Sequence, residues 1–279
     1  MLCCSHQFKH RDNPSMDSSH TDSARVLHAD RAERAQGSIY TLTVARPERL
    51  NILNSAALSE LDDALARIAA DDRARAVILA GSGSKAWIGG ADINEMVSLD
   101  SETARAFITR LHRVCLALRE LPVPVIARID GFCLGAGLEI AACCDLRIAT
   151  TASRFGMPEV LVGIPSVIEA ALLPRLIGAG RARDLVITGR IIDTDQASAW
   201  GLVESVPSSE RLDAVVEERV AMILSAGPKA IRSQKTLCRG WEELPLGESI
   251  EAGIDAFGAA FLADEPQVYM HRFLNRHRD

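Results

Sequence analysis

Two glutamates, Glu139 and Glu159, stand twenty residues apart in a chain of 279 residues. Glu139 follows the glycine turn Gly135-Ala136-Gly137 and lies in an otherwise apolar run, Leu138, Ile140, Ala141 and Ala142. Glu159 has apolar neighbours in Gly156-Met-Pro-Glu-Val-Leu-Val-Gly163. An ionisable group in an apolar stretch costs free energy unless it is paired or used. Two carboxyls held close together can serve as an acid/base pair. Taken singly, either glutamate reads equally as a surface residue or a partner for a helix dipole. Two turns rich in backbone donors favour the acid/base reading.

The first of these turns is fed by Val125 to Ile129, a short β-branched run with the composition of a buried strand. Gly131 breaks the run, the Gly135-Ala136-Gly137 turn follows, and Leu138 to Ala142 read as a helix. A strand feeding a glycine turn and a helix start presents unpaired N–H groups to an anion. The second turn is Gly89-Gly90-Ala91-Asp92, ahead of Ile93 and Asn94 near another helix start.

Other motifs fall away. Gly81-Ser-Gly-Ser-Lys85 lacks the Gly-Lys-Ser/Thr spacing of a phosphate loop. Gly135-x-Gly137 after a strand has Ile140 where a dinucleotide fingerprint requires its third glycine. No Gly-x-Ser-x-Gly elbow occurs, which argues against a serine hydrolase.

The elements that must carry the turns follow from periodicity. Ile39 to Ala45 alternates as a strand, and Asn54-Ser55 caps a helix whose Leu58, Leu61, Leu65 and Ile68 share one face. Ala76 to Ala80 and Leu146 to Ala149 read as strands, and Glu102 to Leu118 as a helix. Beyond Pro165 helices are expected over 167–177, 182–188, 194–200, 209–225, 228–239 and 246–263. Strands in the first half and helices in the second make an α/β core with a helical C-terminal part.

Composition bounds the function. Hydrophobic residues make up 48% and charged residues 24%, an ordinary globular balance, and the net charge of −6 offers no general attraction to nucleic acid. No apolar run approaches the roughly 18 residues of a membrane span. The seven cysteines, at 3, 4, 115, 133, 143, 144 and 238, are odd in number, and four fall in expected core elements. Reduced thiols in a reducing compartment follow, with cytoplasm the expected location. Cys143-Cys144 lacks metal-ligand spacing, so no metal site is expected. Residues 1–25 are polar and aperiodic, with no apolar signal core, and are expected to be a disordered tail.

Several stretches together resemble the enoyl-CoA hydratase/isomerase (crotonase) superfamily: Arg46-Pro-Glu-Arg-Leu-Asn51, Gly90-Ala91-Asp92-Ile93, Pro124-Val-Ile-Ala, Asp130-Gly, Gly135-Ala-Gly-Leu-Glu139, Cys144-Asp145, Phe155-Gly, Pro158-Glu159 and Gly189-Arg. The match spans roughly Gly37 to the C-terminus, with these motifs in the family's order and spacing. The resemblance implies a crotonase-like spiral of repeated ββα units over 26–205, with 206–279 as a helical oligomerisation region. It implies homotrimers or homohexamers and an acyl-CoA thioester substrate, with no cofactor because coenzyme A is part of that substrate. It carries over an oxyanion hole to the N–H groups of Ala91 and Ala136, and the hydratase glutamates to Glu139 and Glu159. Arg49, Gly90, Asp92, Ile93, Asn94 and Gly135 are implied in substrate binding, Arg49 and the turn from Ala91 to Asn94 near the CoA.

One departure stands out. Family hydratases commonly follow the second glutamate with a glycine-rich segment. Here the run is Gly163-Ile-Pro-Ser-Val-Ile-Glu-Ala-Ala-Leu-Leu-Pro174, in which Ser166 can donate a hydrogen bond and Val167, Ile168 and Glu169 reshape the wall. The expected activity is hydration of a 2-enoyl-CoA. The competing readings are isomerisation or thioester hydrolysis at the same site, and an acyl-CoA-binding member without catalysis.

Overall fold

The computed structural model describes residues 26–275. The expected N-terminal tail, with Cys3 and Cys4, lies outside the described residues, as do the last four positions.

Among the described residues, nine strands form two sheets. The first contains β1 (Leu27–Arg34), β2 (Gly37–Val44), β3 (Ala74–Gly81), β5 (Val125–Ile129) and β7 (Leu146–Ala149) in the order β1-β2-β3-β5-β7. Only the β1–β2 hairpin is antiparallel. The second sheet orders β4 (Ala86–Ile88), β6 (Phe132–Leu134), β8 (Arg154–Gly156) and β9 (Ile191–Asp193), with β4, β6 and β8 parallel neighbours. The pairs β3/β4, β5/β6 and β7/β8 each put one strand in the large sheet and the next in the small one. This is the expected spiral of repeated units.

The helices are α1 (Ser55–Ala69), α2 (Ile93–Met96), α3 (Ser101–Glu120) and α4 (Ala136–Cys143), then α5 (Leu173–Ile177), α6 (Ala179–Thr188) and α7 (Thr194–Ala199). The C-terminal part adds α8 (Leu212–Ser225), α9 (Pro228–Glu243), α10 (Leu246–Ala260) and α11 (Glu265–Asn275). Asn54 caps α1 through Ala57 N–H, as the sequence indicates. The apolar faces of α1 and α3 bury against the large sheet, where Val77, Leu79, Val125 and Ala127 point into the main core. The alternate residues Ala76 and Ile126 point to the other face, with Ile39 and Ile148, and α8 covers them with Leu212, Val216 and Val220. Burial on both faces explains why β3 and β5 read as continuous apolar runs. The helical C-terminal part therefore begins with a helix that closes the large sheet.

Two expectations are corrected. The helix expected over 167–177 is a 3₁₀ segment, Ile168–Leu172, followed by the short α5. Ile168 has φ 38°, outside the right-handed helical region, and Pro174 lacks the N–H that would continue a helix through it. The strands β1, β4, β6, β8 and β9 and helix α11 were not anticipated. Four of those strands have only three residues, and β1 is almost wholly exposed, so none carries a readable alternation.

Candidate active site

The parallel strands β4, β6 and β8 end on the same edge of the small sheet, and each delivers one part of the site there. Beyond β4 comes the turn Gly89-Gly90-Ala91. Beyond β6 come Gly135 and α4, and beyond β8 come Pro158 and Glu159. Ligands gather outside the carboxyl ends of parallel strands because several loops converge there.

The β4 turn is held by its neighbour in the chain. Gly89 N–H donates to Leu50 O, Leu53 N–H to Gly90 O and Asp92 N–H to Leu53 O. Buried Asn51 fixes that loop, donating from Nδ2 to Ser82 O and Ala86 O while its Oδ1 accepts from Arg46 N–H. The arrangement leaves Ala91 N–H facing away from Leu53. Ala136 is the first residue of α4, so its N–H belongs to the turn of amides that no helix can pair internally. Neither amide donates to a protein acceptor among the described residues. Helix α4 lies hard against β4, since a Cβ on Gly137 would sit 2.2 Å from Ile88 O. That contact brings the two donor turns together.

Gly90, Ala91, Gly135, Ala136, Glu139 and Glu159 all line one cavity of about 320 Å³. Its remaining walls are apolar: Phe107, Ile108 and Leu111 of α3 on one side, and Leu161, Val162, Ile164 and Val167 on another. Ile93 and Met96 of α2 complete it. Glu139 is buried, 4% exposed, and Oε1 accepts from Ala170 N–H at 3.3 Å. Burial, and then the charge of Glu159, push its carboxyl up to about 8, against the opposing Ala170 hydrogen bond. Glu159 is half-buried, and Ser166 Oγ–H donates to its Oε2 at 2.7 Å. Ser166 is thus the donor its place in the sequence allowed.

Three expected binding residues lie outside that lining. Asp92 is buried and caps α2, accepting from the backbone N–H and the side chain of Asn94. Arg49 is half exposed, with Nη1 3.8 Å from Asp92 Oδ2. These three form a polar cluster beside the Gly90-Ala91 turn. The apolar wall and Ala170 were missed. The wall residues read as ordinary core positions, and Ala170 contributes only its backbone. Among the described residues, no group of His, Cys, Asp and Glu could hold a metal ion.

Comparison with known proteins identifies the family. A family model described as enoyl-CoA hydratase/isomerase matches residues 34–279. The chain is 36% identical over 238 residues to crotonyl-CoA hydratase of Syntrophomonas wolfei, covering 85% of this chain and 92% of that protein. It is 35% identical to short-chain-enoyl-CoA hydratase of Clostridium acetobutylicum, covering 87% and 94%. Among solved structures, enoyl-CoA hydratase from Bacillus anthracis superposes with a TM-score of 0.85 at 30% identity, covering 90% of this chain and 97% of that one. The chain belongs to the enoyl-CoA hydratase/isomerase family.

Proposed function

We propose that this protein is an enoyl-CoA hydratase, adding water across the double bond of a 2-enoyl-CoA thioester. The observation that carries the proposal is one cavity holding a proton-retaining Glu139, its neighbour Glu159 and two unengaged amides, Ala91 and Ala136. When water oxygen bonds to Cβ, the π electrons move through Cα onto the thioester oxygen as an enolate. Two fixed N–H donors stabilise that oxygen most where its charge is largest, in the transition state. The attacking water loses a proton to one carboxylate of the pair, and Cα gains a proton from the other carboxyl. No electron leaves the substrate, so the reaction calls for no redox cofactor.

The apolar wall suits an acyl chain. Arg49 and the turn at 91–94 are assigned to the CoA portion, since Arg49 has a half-exposed guanidinium close to that turn. The free, buried thiols Cys115, Cys133, Cys143 and Cys144 fit a reducing compartment such as the cytoplasm. Among the described residues no helix is long and apolar enough to cross a membrane. A homotrimer or homohexamer is the proposed assembly.

The test is a panel of 2-enoyl-CoA thioesters of increasing chain length, followed by loss of the conjugated-thioester absorbance and by product mass. A product heavier by one water is expected. An unchanged mass with a shifted double bond would make the enzyme an isomerase, and free CoA a hydrolase. Binding without turnover would make it a carrier.

A further inference from the structure

A third buried carboxyl sits behind the pair. Glu169 is 6% exposed and lies in the 3₁₀ segment between Ser166, which holds Glu159, and α5. His112 Nδ1 is 2.7 Å from Glu169 Oε1, and because a carboxylate only accepts, the ring N–H donates. Glu169 Oε2 is buried without a hydrogen-bond partner. A buried carboxyl with one orphaned oxygen is costly, and packing alone does not account for it. The next residue is Ala170, whose N–H is shared between Val167 O at 2.9 Å within the turn and Glu139 Oε1 at 3.3 Å. The preceding residue is Ile168, a β-branched side chain at φ 38°, a conformation that persists only where surrounding contacts enforce it. His112 stands on α3 beside Leu111, which lines the cavity. A short path therefore runs from α3 through His112 and Glu169 to Ala170 N–H and on to Glu139.

We propose that Glu169, pinned by His112, is a positioning residue for Glu139. The side-chain pair fastens the strained turn to α3 and so keeps Ala170 N–H on the Glu139 carboxyl. This inference rests on the hydratase reading for its catalytic consequence. The strap itself is defined by geometry alone. The ionisable groups around Glu139 are Glu159 from the 159–162 turn, Glu169 from the strap, and Cys115, which also feels both Glu139 and Glu169. Glu169 adds negative charge beside Glu139, whereas Ala170 N–H favours its ionised form. Cutting the strap at His112 and neutralising Glu169, whose amide can still accept from His112, therefore move Glu139 in opposite directions.

The experiment uses His112→Ala, at a half-exposed position where the fold is least at risk, and Glu169→Gln. Crotonyl-CoA hydration is measured as kcat and KM. The Glu139 carboxyl is titrated in the free enzyme by infrared difference spectroscopy, its band assigned by its loss in Glu139→Gln. His112→Ala should lower kcat about 10–100-fold with KM changed less than about twofold, since small misplacements of a reacting group carry such costs. His112→Gln, whose amide can still donate to Glu169, should recover most of that loss. Glu139 should titrate at higher pH in His112→Ala, which frees Ala170 N–H, and at lower pH in Glu169→Gln, which removes a like charge. If wild-type protein turns over no enoyl-CoA, the hydratase reading fails while the titration still decides the strap. Glu139 titrating identically in wild type and His112→Ala, with kcat unaltered where turnover exists, overturns the proposal whether or not Glu169→Gln folds.

Discussion

A Cβ placed on Gly135 would sit 2.5 Å from Glu159 Oε1, so the absence of a side chain at the head of α4 is what admits the second carboxyl to the site. Gly135 also has φ 52°, a conformation that costs other residues of order 1–3 kcal/mol. The two requirements can be separated. Gly135→Ala should lose stability from the backbone and should lose turnover through displacement of Glu159, by about 10²-fold or more. Gly178→Ala, at φ 86° with nothing within 4 Å of the new Cβ, should lose only stability. Thermal melts and hydration rates on both variants check this. Equal activity in the two would show that Glu159 does not need the space.

The donor role of Ala136 is testable because of where the residue stands. It is the first residue of α4, the helical position at which proline is best tolerated and where the amide has no helical acceptor to lose. Ala136→Pro should fold, as judged by circular dichroism, and bind acyl-CoA. It should lose about 2.7–4 kcal/mol of transition-state stabilisation. Ala136→Gly keeps the N–H and should remain within about tenfold of wild type. A proline variant that folds and turns over normally would remove Ala136 from the oxyanion hole.

Retention of a proton by Glu139 sets the pH dependence. Its folded-state pKa of about 8 exceeds the ordinary 4.5, so the folded protein keeps a proton that the unfolded chain releases. Stability contributed by this group is therefore full below 4.5 and falls as pH rises through about 8. Glu139→Gln, which cannot ionise, should melt higher than wild type at pH 8.5, with a gain on the order of a few kcal/mol that vanishes near pH 4. Wild-type kcat/KM for hydration should fall above about pH 8 as the pair loses the proton destined for Cα. A pH-independent difference in melting between the two proteins would contradict the assignment.

Much of this site is legible in the sequence, for a physical reason. Glu139, Glu159, Ala91 and Ala136 lie at the ends of local strand–turn–helix patterns, and local patterns survive in one dimension. The pairing of Ala170 with Glu139, or of His112 with Glu169 fifty-seven residues away, depends on which helix packs against which turn. No spacing rule encodes that. Segment 168–172 misleads for the opposite reason: its Ile-Glu-Ala-Ala-Leu composition favours a helix, and the positive φ of Ile168 is imposed by tertiary contacts. The three-residue strands β4, β6 and β8 are too short to alternate, yet they bring the turns to one edge.

The C-terminal helices make a separate prediction. Ile250, Ile254 and Phe257 lie at helical spacing on α10 with exposures of 54%, 60% and 68%, continued by Phe261, whose ring centroid is 5.2 Å from that of Phe257. An apolar stripe of this kind is suited to a neighbouring subunit. Light scattering at micromolar concentration should give about three or six times the 30.1 kDa chain mass. Phe257→Asp should shift the population toward smaller species. A monodisperse monomer in the wild-type protein would exclude the proposed assembly.

The decisive prediction concerns the pair of glutamates together. Hydration requires one proton to leave water at Cβ and one to arrive at Cα, whereas moving a double bond can use a single carboxyl as a shuttle. Glu139→Gln and Glu159→Gln should each lower kcat for crotonyl-CoA hydration by on the order of 10²–10⁴. The double variant should fall far less than the product of the two losses, because groups that act as one unit lose their function once. Affinity for a saturated acyl-CoA should stay close to wild type in all three, since the proposed reaction assigns neither side chain to the CoA. Gln at 159 can still accept from Ser166, so the local turn is retained while the proton chemistry is lost. One dead variant beside one that hydrates at the wild-type rate would leave a single working carboxyl, and the site would then be read as that of a one-base isomerase or hydrolase.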